Sequence, residues 1–216
     1  MSDVVIAAPT APVRAQRGMW RVLVKSPSGL AGLILLVILA VPAILVVAHL
    51  LPYDPAVQDV TARLKPPSAA HWFGTDQFGR DIFTRASSGV ANSALVAVVA
   101  VAVAAVLGTL GGIVSGYLRG ATDMVVGGVA NVIFAFPPLL LALTLVSVFQ
   151  RNWFTVAVAI AIVYTPIFIR VTRGPVLTLR EVEYVSAART TGMSTAGILF
   201  RHILPNITGI LIVQIT

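Results

Sequence analysis

Two carboxylates, Asp76 and Asp81, alternate with two arginines, Arg80 and Arg85, inside ten positions. Such a grouping could do general acid–base chemistry if one carboxyl held its proton near neutrality. Interleaved arginines work against that, because a neighbouring guanidinium keeps a carboxylate ionised and oriented. The group therefore reads as a hydrogen-bonded structural turn, with Gly74 and Gly79 supplying permissive backbone. Other chemistries fare no better. Cysteine is absent, which removes a thiol nucleophile, a thiolate metal site and a disulfide framework. A phosphate-binding loop needs glycine before Lys-Ser/Thr, and the lysines are Lys25, preceded by Val24, and Lys65. Intramembrane hydrolysis would need paired aspartates or a nucleophile and base within the apolar blocks, and no such set is found there. No catalytic, cofactor or metal residue is assigned, and the expectation is a non-catalytic chain that binds and moves.

The stretch that stands out on those terms is 183–206, EYVSAARTTGMSTAGILFRHILPN, charged in part and set between apolar blocks. It reads as a docking element. Glu183 is placed to cap a helix start; Ala187 and Ala188 would let a partner surface seat closely, with Arg189 and Arg201 adding oriented hydrogen bonds. Gly192 would end this helix or turn it sharply, since few other residues tolerate positive φ. A second short helix is expected from Ser194 or Thr195, with Ile198, Leu199, Ile203 and Leu204 as its apolar members, so that the two helices form a compact knob.

The elements that must hold this knob are membrane helices. Of 216 residues 57% are hydrophobic and only 11% charged, against roughly one quarter charged in a soluble domain. The net charge of +7 comes from basic residues scattered around apolar blocks, without the aromatic interleaving of a nucleic-acid surface. Residues 1–28 form a basic arm with Arg14, Arg17, Arg21 and Lys25, and Trp20 as an interfacial anchor. A first span is expected over 29–51, retained rather than cleaved, with Pro42 inside it and His49 at its outer end. A long connection, 52–92, includes an amphipathic helix lying at the interface from about Asp81.

The second span, 94–118, carries Ala104, Gly108, Gly112 and Gly116 every four residues, a face on which a neighbouring helix can approach closely. A link with Arg119 and Asp123 leads to a third span over 124–149, interrupted at Pro137-Pro138. Asn131 within it should face protein or an aqueous path, because an amide turned to lipid lacks partners. Arg151 and Asn152 then turn the chain into a fourth span, 154–170, with Tyr164 and Pro166. A fifth apolar block begins after Pro205-Asn206, and its ten residues fall short of a crossing. With the arm inside, Arg119, Arg170, Arg173, Arg180, Arg189 and Arg201 also fall inside, while Arg63, Lys65, Arg80, Arg85 and Arg151 fall outside. This places 183–206 on the cytoplasmic side of a multi-pass cell-membrane (inner or plasma membrane) protein.

The segments SAARTTG at 186–192 and HILPN at 202–206 resemble the EAA loop of ABC importer permeases. FGTDQFGRDIFTR at 73–85, GTLGGIVSGYLRG at 108–120, FAFPPLLLAL at 134–143 and RVTRGPVLTLREVEYVSAARTTG at 170–192 narrow the resemblance to the second permease subunit of the dipeptide/oligopeptide/nickel importer family, over about 19–216. It implies an all-α type I permease fold with five of six expected transmembrane helices begun, the fifth incomplete. The implied plan is an arm over 1–28, a first helix over 29–51, an external loop over 52–92 and a permease core over 93–216 that is truncated and holds a coupling loop at 171–205. Implied partners are a homologous permease subunit, two ATP-binding subunits that hold ATP and Mg²⁺, an external solute-binding protein and the bilayer. The cargo would be dipeptides or oligopeptides, with nickel or another small solute as the alternative. The ATPase-coupling positions become Glu183, Ser186, Ala187, Ala188, Arg189, Gly192 and Pro205, and a translocation path would pass Asn131, Pro137 and Tyr164. Four positions depart from the family pattern. Ser186 replaces the glutamate that names the loop, Ala91 stands where arginine is common, and Gly128 and Asn131 stand where arginine and aspartate are frequent.

Overall fold

The computed structural model describes residues 24–149 and 152–216. The basic arm before Val24, the anchoring role read for Trp20, and Arg151 lie outside them. The described residues fall into two compact units, one up to Ala91 and one from Asn92.

In the first unit, α1 (Pro27–Val47) starts at Ser26, whose hydroxyl accepts the Gly29 N–H at 3.1 Å. That bond satisfies one of the orphan donors at a helix start. The connection after α1 is tied by polar contacts of its own residues. Asp59 closes a short 3₁₀ turn at Val60–Ala62, and Thr75 Oγ1 donates to the Ala62 carbonyl. Asp81 accepts the Thr84 N–H at 2.8 Å and so opens α2 (Ile82–Leu118), which runs on into the second unit.

α2 corrects one expectation. The interfacial helix near Asp81 and the second span are a single helix of 37 residues. No proline stands between Ile82 and Leu118, and Ser87 returns its hydroxyl to the Phe83 carbonyl at 2.8 Å, so nothing ends the helix where hydropathy rises. The link after it shrinks to Arg119, because α3 (Gly120–Phe134) already contains Asp123. α3 and α4 (Pro138–Val148) are bent by 91° at the Pro137-Pro138 break. Pro138 pushes residue 137 out of helical backbone, and Pro137 has φ −56° and ψ 127°.

α5 (Trp153–Leu179) is capped by Asn152, which accepts the Thr155 N–H at 2.9 Å. It runs nine residues beyond the expected end at 170, through both Pro166 and Pro175. Pro166 and Val176 are fully buried, and packing of this kind offsets the hydrogen bonds that proline forfeits. After the short α6 (Glu183–Thr190) comes α7 (Thr195–Ile215), opened by Ser194, which accepts the Gly197 N–H at 3.2 Å.

α7 corrects a second expectation. The last apolar block does not start after Asn206, and the second half of the expected knob is its first turns. Leu199–Ile203 form a π turn in which the Leu204 N–H reaches back five residues to the Leu199 carbonyl. This wider turn lets the helix pass Pro205 unbroken. Among the described residues α1, α2, α5 and α7 are long and apolar enough to cross a membrane, and the bent pair α3–α4 makes a further crossing if it is one span. The core of the second unit gathers Ile113 and Tyr117 of α2, Val176 of α5, Val185 and Ala188 of α6, and Ile198, Leu199, Ile203 and Ile207 of α7.

Candidate functional site

α6 is eight residues long and stands on this core. Val185 is fully buried and Ala188 nearly so, three residues apart on the same face, while Ser186, Ala187 and Arg189 are exposed. Of the small residues, Ser186 and Ala187 are therefore the exposed ones, whereas Ala188 packs into its own bundle. Glu183 is not a capping side chain. Val182 occupies the cap position without a side-chain hydrogen bond, and Glu183 lies in the first turn, where its charge favours the positive end of the helix dipole.

The far end of α6 closes by backbone alone. Gly192 takes φ +80°, its N–H reaches the Arg189 carbonyl at 3.1 Å, and the Met193 N–H reaches the Ala188 carbonyl at 3.1 Å. That pair of bonds is a Schellman closure with glycine at the left-handed position. Arg189 stacks over the Tyr117 ring at 5.5 Å. Arg180, just past the end of α5, joins the same ring at 5.9 Å and donates Nη1 to the Tyr117 carbonyl at 2.5 Å. Glu181 pairs with Arg180 at 2.9 Å and with Arg119 at 3.8 Å. From the other side Asn206 donates to the Tyr184 hydroxyl at 3.3 Å and to the His202 carbonyl at 2.6 Å. Pro205 is exposed beside this contact, at the start of the straight part of α7. The short helix is thus clamped to the ends of α2 and α5 and to the start of α7.

Those helices are in intimate contact. Ala104 is fully buried against Ala161 and Phe168. A Cβ on Gly108 would strike Phe168, one on Gly112 would lie 2.6 Å from the Ile169 carbonyl oxygen, and one on Gly116 would lie 3.1 Å from the Arg173 carbonyl oxygen. The glycine face of α2 therefore takes the backbone of α5 and the bases of its side chains directly.

A second polar group joins α3 to α5. Arg173 grips Asp123 with two bonds of 2.6 and 2.7 Å, and Arg170 Nη2 donates to Asn131 Oδ1 at 2.9 Å while its guanidinium lies 4.1 Å over the Phe134 ring. Asp123, Asn131, Arg170 and Arg173 line a cavity of about 520 Å³ together with Gly127 and Gly128. Tyr164 lines a different cavity of about 420 Å³ with Ser93, Ala97 and Ile160. Pro137 sits at the α3–α4 break. The three path residues read from the sequence are therefore not brought to one place. Sequence reasoning missed the partners of Asn131. The signal was Arg170 and Arg173 at helical spacing in an apolar helix, opposite Asp123.

The turn at Asp76 belongs to the first unit. Oδ1 accepts N–H bonds from Phe78 at 2.8 Å and Arg80 at 3.0 Å, and Oδ2 takes the Arg80 guanidinium at 2.9 Å and that of Arg85. Partial burial opposes its ionisation, but the N–H bonds and the Arg80 charge outweigh it and hold the carboxyl at about 2, below the ordinary 3.8. Asp81 turns away to His71, at 3.0 Å from Nδ1. The two carboxylates do not face one another as an acid–base pair.

Residues 108–216 match the family model described as binding-protein-dependent transport system inner membrane component, and 17–67 match that of the N-terminal TM domain of oligopeptide transport permease C. A dipeptide transport system permease protein DppC of Haemophilus influenzae is 32% identical across the whole chain, which covers 74% of that relative. A DppC of Alkalihalophilus pseudofirmus is 43% identical over 71% of this chain and 51% of its own length. The oligopeptide transport system permease protein OppC of Bacillus subtilis is 36% identical over 87% of this chain and 61% of its own. The chain thus spans about half to three quarters of the length of these relatives.

Proposed function

We propose that this chain, which belongs to the family of inner-membrane components of binding-protein-dependent transport systems, is a membrane-spanning subunit of an ATP-driven importer of dipeptides or oligopeptides. The observation that carries the reading is the mounting of α6. An eight-residue helix with an exposed Ser186–Ala187 face stands on buried Val185 and Ala188 and is clamped through Arg180 and Arg189 to Tyr117. A helix so short has no stability of its own and takes its rigidity from these contacts. A push on its exposed face passes directly into the ends of α2 and α5.

In this reading two ATP-binding subunits hold ATP and Mg²⁺ and carry out hydrolysis, and one of them seats its groove on α6. Closure of the ATPase pair draws on α6 and on the matching helix of a homologous permease subunit, and the bundle shifts between outward-open and inward-open packings. The direct backbone contact of α2 with α5 makes those helices move as one body. The N-terminus and α6 face the cytoplasm, where the basic flanks favour them, and a solute-binding protein delivers cargo on the opposite side. Peptide permeases among the relatives favour peptide cargo over nickel. Copurification of the native complex, reconstitution and uptake of labelled dipeptide driven by ATP tests the reading. Uptake that follows hydrolysis supports it, and flux through the purified chain without an ATPase would refute it.

A further inference from the structure

The cavity between α3 and α5 holds unequal charges. Asp123 is taken up by both bonds to Arg173, leaving Arg170 with a neutral amide, Asn131, as its hydrogen-bond partner and no carboxylate in reach among the described residues. Arg170 stands about two thirds of the way along α5, roughly 26 Å from its Trp153 end at 1.5 Å per residue. A guanidinium inside a membrane-spanning helix is costly and ordinarily faces a partner or an aqueous cavity. Here it is exposed to a cavity of about 520 Å³, of the size that small ligands occupy. Phe134 covers one face of its plane at 4.1 Å and Asn131 fixes one nitrogen, so the remaining N–H groups are held in orientation without being used up. Beside them Gly128 leaves open space where a side chain would stand.

We propose that Arg170 forms a carboxylate subsite in this cavity, taking the C-terminal carboxylate of a peptide as it passes. The identity of the carboxylate rests on the importer reading above; the subsite itself rests on the unmatched guanidinium. Arg170 donates to both carboxylate oxygens, Asn131 orients the guanidinium, and the opening over Gly128 admits the rest of the peptide. Binding is transient, because a single paired charge beside an aqueous opening is held weakly enough to leave.

The chain lacks cysteine, so G128C places one reporter thiol on the lining of the cavity, where a Cβ meets open space. The experiment uses the assembled importer in nanodiscs of zwitterionic lipid, with maleimide labelling of this chain followed by mass spectrometry. Trialanine, but not its C-terminal amide, is expected to slow labelling by roughly tenfold, and R170Q and N131D, the latter supplying an internal carboxylate to Arg170, are each expected to abolish the protection. Equal protection by both peptides, or protection that survives R170Q, overturns the subsite. A thiol that never labels shows the cavity filled by a neighbouring subunit and also overturns it, as does protection by added phosphatidylglycerol without peptide, which assigns the site to lipid. Uptake is measured in parallel. If trialanine protects the thiol through Arg170 but is not transported, the subsite stands and the peptide-import reading falls.

Discussion

Arg180 donates to the backbone carbonyl of Tyr117 at 2.5 Å, joining the residue that follows α5 to the last turn of α2 directly beneath α6. The same ring receives Arg189 of α6, so three elements meet at one side chain. R180Q should remove the charge-assisted bond and leave the ring without one of its two cations, a loss of about 1.5–3 kcal/mol for a hydrogen bond to a charged group. Hydrogen exchange across Glu183–Thr190 should then accelerate roughly tenfold or more, while α3 and α4 stay unchanged. Unaltered protection of α6 would mean the clamp does not hold it.

Gly192 gives a sharper test of the same helix. Its φ of +80° is strained for any L residue and worst for a β-branched one, at a cost of roughly 1–2 kcal/mol. G192V should insert and assemble but hydrolyse ATP with little transport, because the Schellman closure is lost. G192N, which tolerates the left-handed region better, should recover part of the coupling. Wild-type transport per ATP in G192V would remove the bend from the mechanism.

The contact of α2 with α5 predicts a different phenotype. A Cβ on Gly112 would sit 2.6 Å from the Ile169 carbonyl oxygen and 2.7 Å from Thr172 Cβ, so G112L must part the helices. Overpacking of this kind costs about 1–3 kcal/mol. The complex should melt at lower temperature, with G127L, where a Cβ meets nothing within 4 Å, as the tolerated control.

The Asp76 turn sets a pH dependence in the first unit. Its carboxyl lies at about 2 when folded against an ordinary 3.8, so the unfolded segment binds the proton more readily. The stabilisation is complete above about 3.8, declines as pH falls from there, and is gone below about 2. Protease resistance of residues 59–85 should hold from neutral pH to near 4 and fall below it. D76N should be weaker at neutral pH and lose much of that acid dependence, the remainder coming from Asp59, whose carboxyl the Thr61 hydrogen bonds also hold below its ordinary value.

Much of this was legible in the residues. The four-residue rhythm of Ala104, Gly108, Gly112 and Gly116, the glycine at 192 and the paired prolines at 137–138 each act through local geometry that the residue type itself determines. What escaped depended on tertiary packing. The expected end of the fourth span at 170 and the expected break at Pro205-Asn206 both failed, because burial carries α5 on through Pro175 and a π turn carries α7 past Pro205. The charge contrast before residue 94 looked like a separate interfacial helix, although nothing there stops α2. Asp123 and Arg173 lie 50 residues apart, and two arginines at helical spacing in an apolar helix signal polar partners without saying which residues those are. Ala188 was grouped with Ala187 because both are small, and only the direction of the helix face tells them apart.

The central claim is that force reaches this chain through the exposed face of α6. In a chain without native cysteine, S186C and A187C can each be tested for cross-linking to an ATP-binding subunit during turnover in a reconstituted importer. Cross-links from both positions that change in yield with nucleotide are the expected result. An active importer that gives no ATPase contact anywhere between Glu183 and Asn206 would contradict the account.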